Sequence, residues 1–172
     1  EEFYSNLENK DIDEIVQENE LDQVSIQENI EVKEKEVYQN PNEFAAFVAD
    51  TLYHFYNRGL TAEDYYDFLQ KYGSKTLVDD LPSKEDAVAV YGSIQKYYQD
   101  QNIKLDSYQI TEVKFNRSET EGYFYRKVLS TNGYEYFICT IVKENGEWKF
   151  SEDSPSPPFE EVENTEYIEE GV

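Results

Sequence analysis

One histidine and one cysteine are the side chains of this chain most often used in proton transfer and nucleophilic catalysis. His54 is the only histidine, and an imidazole is the group best suited to act as a general base near neutral pH. It lies beside the apolar stripe of a predicted helix, which favours a partly exposed structural histidine. Cys139 lies in the middle of a predicted strand with no histidine near it in sequence, a position typical of a buried, inert thiol. Neither residue by itself indicates an enzyme.

Metal and cofactor sites are not predicted. A zinc site needs several histidine or cysteine ligands at defined spacing, and one residue of each type cannot supply them. The acidic runs lack the alternating Asp/Asn ligands and the central glycine of an EF-hand loop, and no glycine-rich phosphate loop is present. We therefore expect no bound cofactor and no metal, apart from weak calcium binding by the acidic ends.

Tyrosine is the abundant residue with useful chemistry. The chain has 16 tyrosines and 10 phenylalanines, more than one small core requires. Pairs such as Tyr65-Tyr66 and Tyr97-Tyr98 must each turn one ring away from a helical core stripe. Half-exposed tyrosines give contact area at low entropic cost together with a hydroxyl group, as protein interfaces use them. An AT-rich coding bias combined with amphipathic core edges is the alternative explanation.

Three amphipathic helices are predicted to position these residues. Asn40, Thr61 and Ser83 suit helix amino termini, each with an acid three residues later. Gly59 and Gly73 are expected to end the first two helices. The predicted inward residues are Phe44, Phe47, Val48, Leu52, Phe55 and Tyr56 on the first helix, Tyr65, Phe68, Leu69 and Tyr72 on the second, and Ala87, Val90, Tyr91, Ile94, Tyr97 and Tyr98 on the third.

Four strands are predicted after the helices, at residues 105–116, 121–130, 134–143 and 147–151. The first changes its alternation near Thr111, which predicts a bulge that bends a long strand. Turns at Asn132-Gly133 and Asn145-Gly146 join the last three strands into a meander. Both faces of the two middle strands are largely apolar or aromatic, so we expect helices on one face and a partner, a tail or curvature on the other. Pro155 is expected to end the domain, because proline cannot continue a central strand.

The negative charge lies at the two ends of the chain, whose formal net charge is -23. Residues 1–37 carry thirteen acids and three bases, and residues 152–172 carry eight acids and no base. We therefore predict an acidic, largely disordered tether at 1–37, one folded domain at 38–152, and a flexible acidic tail containing prolines at 153–172. So acidic a chain repels phosphate backbones and anionic lipid headgroups, which disfavours binding to nucleic acid or directly to a membrane.

Residue usage also bears on the cellular location. A single cysteine excludes an internal disulfide, which fits either a reducing cytoplasm or a bacterial exterior whose proteins avoid cysteine. No stretch approaches the ~20 apolar residues of a membrane span. The lack of any methionine and the long acidic leader favour a fragment whose membrane anchor was removed upstream. We therefore expect an extracytoplasmic, cell-surface location, with a trimmed cytoplasmic domain as the alternative.

The order of elements and the closing Glu147-Trp148-Lys149-Phe150 resemble the nuclear-transport-factor-two-like (cystatin-like) superfamily over about residues 40–152. The resemblance implies an α+β fold in which three N-terminal helices pack on a curved, four-stranded antiparallel sheet that forms a cone with an open mouth. The acidic leader and tyrosine-rich helices are most similar to soluble envelope domains of Gram-positive bacteria. These include the TcpC-like conjugation proteins, which are similar to the VirB-eight-type component of type IV secretion systems.

Such domains scaffold a translocation channel and catalyse nothing. The resemblance therefore implies a non-enzymatic interaction domain of a membrane-anchored envelope protein, in a conjugative secretion machine, with other envelope or secretion proteins as partners. An oligomer is compatible with this reading. The predicted partner-binding surface is the aromatic outer face of the sheet, with Tyr123, Tyr125, Tyr134 and Tyr136.

The alternative function is a small-ligand binder or a lyase or isomerase that uses the cone pocket. Some enzymes of the superfamily place an Asp or a His with Tyr donors inside the cone. The corresponding residues here would be Asp50, His54, Tyr91 and Tyr125, although their spacing does not require such a site. A weaker alternative, an acidic mimic of nucleic acid, needs rigidly spaced carboxylates, which flexible ends do not provide.

Overall fold

The computed structural model describes residues 21–161, which divide into two compact units. The smaller unit includes residues 21–25 and 157–161, where Gln23–Val24 (β1) forms a parallel pair with Glu160–Glu161 (β7). The larger unit spans residues 26–156 and holds every other element given below. It includes residues 26–37, which were assigned to the tether in the sequence prediction. The rest of the predicted flexible ends, at 1–20 and 162–172, lies outside the described residues.

The larger unit has an α+β fold with four helices. These are α1 (Pro41–Tyr56), α2 (Ala62–Tyr72), α3 (Lys75–Asp79) and α4 (Lys84–Asp100). The predicted caps are confirmed, because the side chains of Asn40, Thr61 and Ser83 each accept a backbone hydrogen bond from the first turn of their helix. Three helices were predicted and α3 was not among them, since five residues are too few to show a helical period.

Helix α4 is less buried than its sequence pattern predicts. Of its six predicted inward residues, only Ala87 is buried, while Val90 and Tyr97 are 54 % and 58 % exposed. The helix packs mainly against α2 and to a smaller extent against α1. It is therefore covered along a narrow edge, and the predicted core assignment of Val90 and Tyr97 is wrong.

The larger unit has one antiparallel sheet of five strands. They are β2 (Leu105–Ile110), β3 (Lys114–Phe115), β4 (Glu121–Ser130), β5 (Gly133–Glu144) and β6 (Glu147–Pro155). The order is β2-β4-β5-β6, and β3 also pairs with β4. In the part of the chain that the structure describes, β2 and β6 are edge strands, so the sheet is not closed. None of the helices in residues 21–161 is long and apolar enough to span a membrane.

The long first strand of the sequence prediction is two strands with a break at Thr111. The backbone N–H of Thr111 donates to Tyr125 O at 3.1 Å. The Tyr125 N–H, however, donates to the Thr111 hydroxyl at 2.9 Å. Because a side chain replaces the backbone acceptor, the ladder is interrupted where the alternation changes. The sheet consequently has five strands instead of the four that were predicted.

Strand β6 continues to Pro155, beyond the predicted end at residue 151. Among the strands it pairs with β5 alone, with one further bridge between Phe150 and Gly73, and it forms an edge of the sheet, where the missing N–H of a proline is tolerated. A register shift opposite Thr140 and Ile141 accompanies this longer strand. The shift decides which of its later residues point into the core.

The core lies between α1, α2 and one face of the sheet. Its sheet residues include Phe124, Cys139, Ile141 and Phe150, and α1 contributes Phe44, Phe47, Val48, Leu52 and Phe55. Cys139 is fully buried, as predicted, and burial raises the pKa of its thiol well above the ordinary value. A thiol held neutral in this way is a poor nucleophile.

Candidate functional site

The register of the central strands places the four predicted interface tyrosines on one side of the sheet. Tyr123 and Tyr125 alternate along β4 with buried Phe124 and therefore point away from the core. In the cross-strand pairs, Lys127 lies opposite Tyr136 and Leu129 lies opposite Tyr134. Paired residues share a face, so Tyr123, Tyr125, Tyr134 and Tyr136 together form what we call the outer tyrosine face.

The outer tyrosine face combines aromatic rings with one cation. The rings of Tyr123 and Tyr125 meet edge to face with centroids 5.8 Å apart. The ammonium of Lys127 lies 4.6 Å from the ring centroid of Tyr134 and 5.9 Å from that of Tyr136. Tyr134 is 60 % exposed, and the other three tyrosines are half-buried. This surface offers rigid apolar contact area, phenolic hydroxyls and a positive charge, but no base or nucleophile.

Asp50 and His54 lie one turn apart on α1 and are in contact. His54 Nε2 is 3.4 Å from Asp50 Oδ1. The hydroxyl of Tyr108 donates to the same oxygen at 3.2 Å. Burial raises the pKa of Tyr108, and the nearby Asp50 charge raises it further. The phenol therefore stays protonated and holds the Asp50 carboxylate in place.

This pair faces a groove between α1 and α2 with a volume of about 510 Å³. Its wall beside His54 is made by the end of α1, where Arg58, one residue before the glycine predicted to end the helix, takes the left-handed conformation (φ 64°). Gly59 donates its N–H to His54 O at 2.7 Å. The groove also has carboxylates from Glu34, Asp64 and Asp67, and rings from Phe47, Phe68 and Tyr72. We call it the α1–α2 groove.

The other two residues of the predicted acid–base set lie elsewhere. Tyr91 packs edge-on against Phe55 and Tyr65 and lines a second cavity of about 280 Å³. Tyr125 is on the outer tyrosine face, separated from the helices by the sheet. The structure thus joins Asp50 to His54 but does not bring Tyr91 or Tyr125 to them.

A buried ion pair that was not predicted lies on the core side of the sheet. Arg126 is 2 % exposed, and its Nε and Nη2 donate to the two carboxylate oxygens of Asp153 at 2.9 and 2.7 Å. The guanidinium also lies 4.6 Å from the ring centroid of Phe137. Burial acts to lower the pKa of Arg126, and the Asp153 charge and hydrogen bonds more than offset this, so the pKa is raised.

Tyrosines line the cavity beside this pair. Asp153, Tyr56 and Tyr65 line the second cavity. Burial, followed by the charge of Asp153, raises the pKa of Tyr56, and burial raises that of Tyr65 well above its ordinary value. Asp153 is engaged at both oxygens and the phenols are protonated, while the other carboxylate of the lining, Glu152, accepts a hydrogen bond from the Ser154 hydroxyl at 2.9 Å. In residues 21–161, no group of three or more His, Cys, Asp or Glu side chains could hold a metal ion.

The buried tyrosines make stability depend on pH in the alkaline range. Burial raises the pKa of Tyr98 to about 12 from the ordinary value of 10.0, and the charges of Tyr56 and Glu135 add to this effect. Between these values the folded chain binds more protons than the unfolded chain, so the free energy of unfolding falls as the pH rises. Tyr98→Phe should reduce that fall in urea unfolding experiments across this range. The matched control is Tyr97→Phe, at the exposed neighbour, and an equal reduction there would contradict the assignment.

Comparisons with known proteins give no family. No protein-family model matches the chain, and the search of curated proteins found no match either. Among solved structures, the chain is similar to the intermembrane space region of the chloroplast protein ARC6, with a TM-score of 0.38 and 6% sequence identity. The match covers 69% of this chain and 98% of that chain. A likeness at this level carries no argument about the fold or the function of the chain.

Proposed function

We propose that the chain is a non-enzymatic protein-interaction domain of a membrane-anchored bacterial envelope protein, of the kind that scaffolds a conjugative type IV secretion machine. The outer tyrosine face is its binding surface. The observation that carries this proposal is the strand register, which collects four tyrosines and a lysine on the side of β4 and β5 that faces away from the core. Envelope location and the secretion machine come from the sequence resemblance.

The composition of the outer tyrosine face suits a protein partner. Tyrosine is enriched at interfaces because its ring loses little entropy on binding and its hydroxyl finds hydrogen bonds. Strands fix the rings more rigidly than loops would, which lowers the entropic cost of association. Lys127, between two rings, adds a contact for a carboxylate on the partner. We expect the partner to present apolar side chains flanked by acids.

Site-directed photo-crosslinking in the native cells tests the proposal. A photoreactive phenylalanine placed at Tyr134 should capture an envelope or secretion component, to be identified by mass spectrometry. The control position is Gln99, an exposed residue on α4. The same adduct at both positions, or capture only of proteins unrelated to secretion, would count against the proposed surface.

Single changes to serine then measure the contribution of each ring. We expect Tyr134→Ser to weaken binding of the captured partner by about fivefold or more, as for an interface residue that contributes over about 1 kcal/mol. Tyr123→Ser, Tyr125→Ser and Tyr136→Ser should each weaken it as well. Urea unfolding of each variant separates lost binding from lost folding. If every variant folds and binds like the unchanged protein, the surface is wrong.

A further inference from the structure

The chain has two Asn-Gly turns, which are held by hydrogen bonds to different degrees. Asn132-Gly133 lies at the junction of β4 and β5, and Asn145-Gly146 joins β5 to β6. Both asparagines are exposed. In the first turn, the Ser130 hydroxyl accepts from the Asn132 N–H at 3.0 Å and donates to Gly133 O at 3.3 Å. Gly133 is also the ladder partner of Ser130, so its own N–H is held between the two strands.

The second turn lacks such hydrogen bonds in the part of the chain that the structure describes. Asn145 (φ 54°) and Gly146 (φ 79°) both have positive φ between the paired residues Glu144 and Glu147, which is the geometry of a two-residue type I′ turn. Neither the Gly146 N–H nor the side-chain amide of Asn145 makes a hydrogen bond with residues 21–161. The peptide between these two residues can therefore rotate without breaking the ladder pair that closes the turn.

That rotation separates the observed turn from a conformation in which Asn145 reacts with its own backbone. Rotating the peptide between Asn145 and Gly146 converts type I′ into type II′, in which Asn145 keeps its positive φ and Gly146 takes a negative one. Glycine accepts both signs of φ. The rotation brings the Gly146 nitrogen to the side on which the Asn145 Cγ can lie, which is the approach that closes a five-membered ring. In the first turn the same rotation would take the Gly133 N–H out of the ladder.

We infer that Asn145 is a site of spontaneous covalent modification, and that the turn of Asn132 protects that residue from the same reaction. The Gly146 nitrogen gives its proton to hydroxide and attacks the Asn145 Cγ, forming a C–N bond. The bond from Cγ to the side-chain nitrogen breaks, and that nitrogen takes a proton from water and leaves as ammonia. A second water then opens the cyclic imide at either carbonyl. The products are aspartate, with the original backbone, and isoaspartate, whose main chain is one methylene longer.

The modification should loosen the end of the β5–β6 hairpin. The Glu144 carboxylate accepts from the Lys75 N–H at 3.1 Å, at the start of α3, and a Glu147 oxygen lies 3.6 Å from Lys149 Nζ. A new carboxylate between these two glutamates repels both, and the longer main chain of isoaspartate does not match a two-residue loop. The turn lies at the end of β5 opposite to Tyr134, so this inference does not depend on the proposed function.

Peptide mapping by mass spectrometry tests the inference, after incubation of the 172-residue protein at mildly alkaline pH. The deamidated fraction is followed over time in the peptides that carry Asn145 and Asn132. In the folded protein we expect the rate at Asn145 to exceed that at Asn132 by about tenfold or more. In guanidinium chloride, where both turns are lost, the two rates should agree within about threefold, since both asparagines precede glycine. Equal rates in the folded protein, or the same large ratio in denaturant, would overturn the inference.

Two further measurements separate the geometry of the turn from other causes. Asn145→Gln lengthens the side chain by one methylene, so that closure would need a six-membered ring, and the peptide should stay unmodified. Deamidation that persists in this peptide would place the reaction at another residue and overturn the assignment. Amide hydrogen exchange should be fast at Gly146 and slow at Gly133, because only the Gly133 N–H is held in the ladder. A protected Gly146 amide would contradict the free turn from which the inference is drawn.

Discussion

Asp153→Ala should lower the free energy of unfolding by about 3 kcal/mol, the lower end of the usual cost of breaking a buried ion pair. The change leaves the Arg126 guanidinium buried without a counter-ion, in a place where its Nη1 already has no hydrogen-bond partner among the described residues. The lower end applies because Asp153 is 11% exposed and lines the second cavity, so water can partly solvate the vacated site.

Two controls separate this cost from other causes. The double change of Arg126→Met with Asp153→Leu removes both charges and should recover most of the loss, because apolar residues can replace a buried pair. Asp79→Ala breaks the exposed pair with Lys75 and should change the free energy of unfolding by less than about 1 kcal/mol. Urea unfolding with unchanged slopes is the measurement. A loss at Asp153 no larger than that at Asp79 would contradict a buried, mutually dependent pair.

The same ion pair connects the core to the proposed binding surface. Arg126 lies between Tyr125 and Lys127 on β4, so its side chain holds the strand on the core side while its neighbours form the outer tyrosine face. Asp153 holds it from β6, and Phe137 from β5. The pair thus ties together the three strands whose register aligns the tyrosines. A substitution that breaks the ion pair should therefore disturb the arrangement of the outer tyrosine face, although none of the four tyrosines is changed.

The ion pair shows where prediction from the sequence stops. The inward position of Arg126 follows from simple alternation with Phe124 and Val128, so it could be predicted from the sequence. The inward position of Asp153 could not be predicted, because simple alternation from Phe150 would place Glu152, and not Asp153, on the core side. The register shift in β5 and β6 pairs Ile141 with Phe150 but Cys139 with Asp153, so Asp153 points to the core instead. No local sequence pattern predicts that register shift.

The helices show the same limit in a different form. Capping side chains and periodicity identified α1, α2 and α4 because both signals are local. Capping and periodicity predict which residues of α4 share a face. They do not predict whether another element of the fold covers that face. Val90 and Tyr97 are exposed for this reason. In the α1–α2 groove, likewise, the spacing of Asp50 and His54 can be read from the sequence, whereas the approach of Glu34 and Asp64 depends on packing.

Phe55→Ala should destabilise the protein by about 3–5 kcal/mol, as expected for removing a fully buried ring. Phe55 is 1% exposed, stacks on Tyr65 with centroids 4.0 Å apart, and meets Tyr91 edge to face. The alanine variant would leave a void beside the second cavity, which those two tyrosines line. Phe55→Leu keeps part of the apolar volume and should cost less. Urea unfolding checks both values.

The comparison with Val90 makes this a test of the helix packing itself. The sequence pattern assigns Phe55 and Val90 alike to core stripes, so from the pattern alone both changes to alanine should be costly. In the structure Val90 is mostly exposed, and Val90→Ala should change the free energy of unfolding by less than about 0.5 kcal/mol, with a slight gain because alanine favours helix. A large loss at Val90 would mean that α4 is covered in solution. A small loss at Phe55 would mean that α1 and α2 are not packed as described, and the α1–α2 groove would then lose its walls.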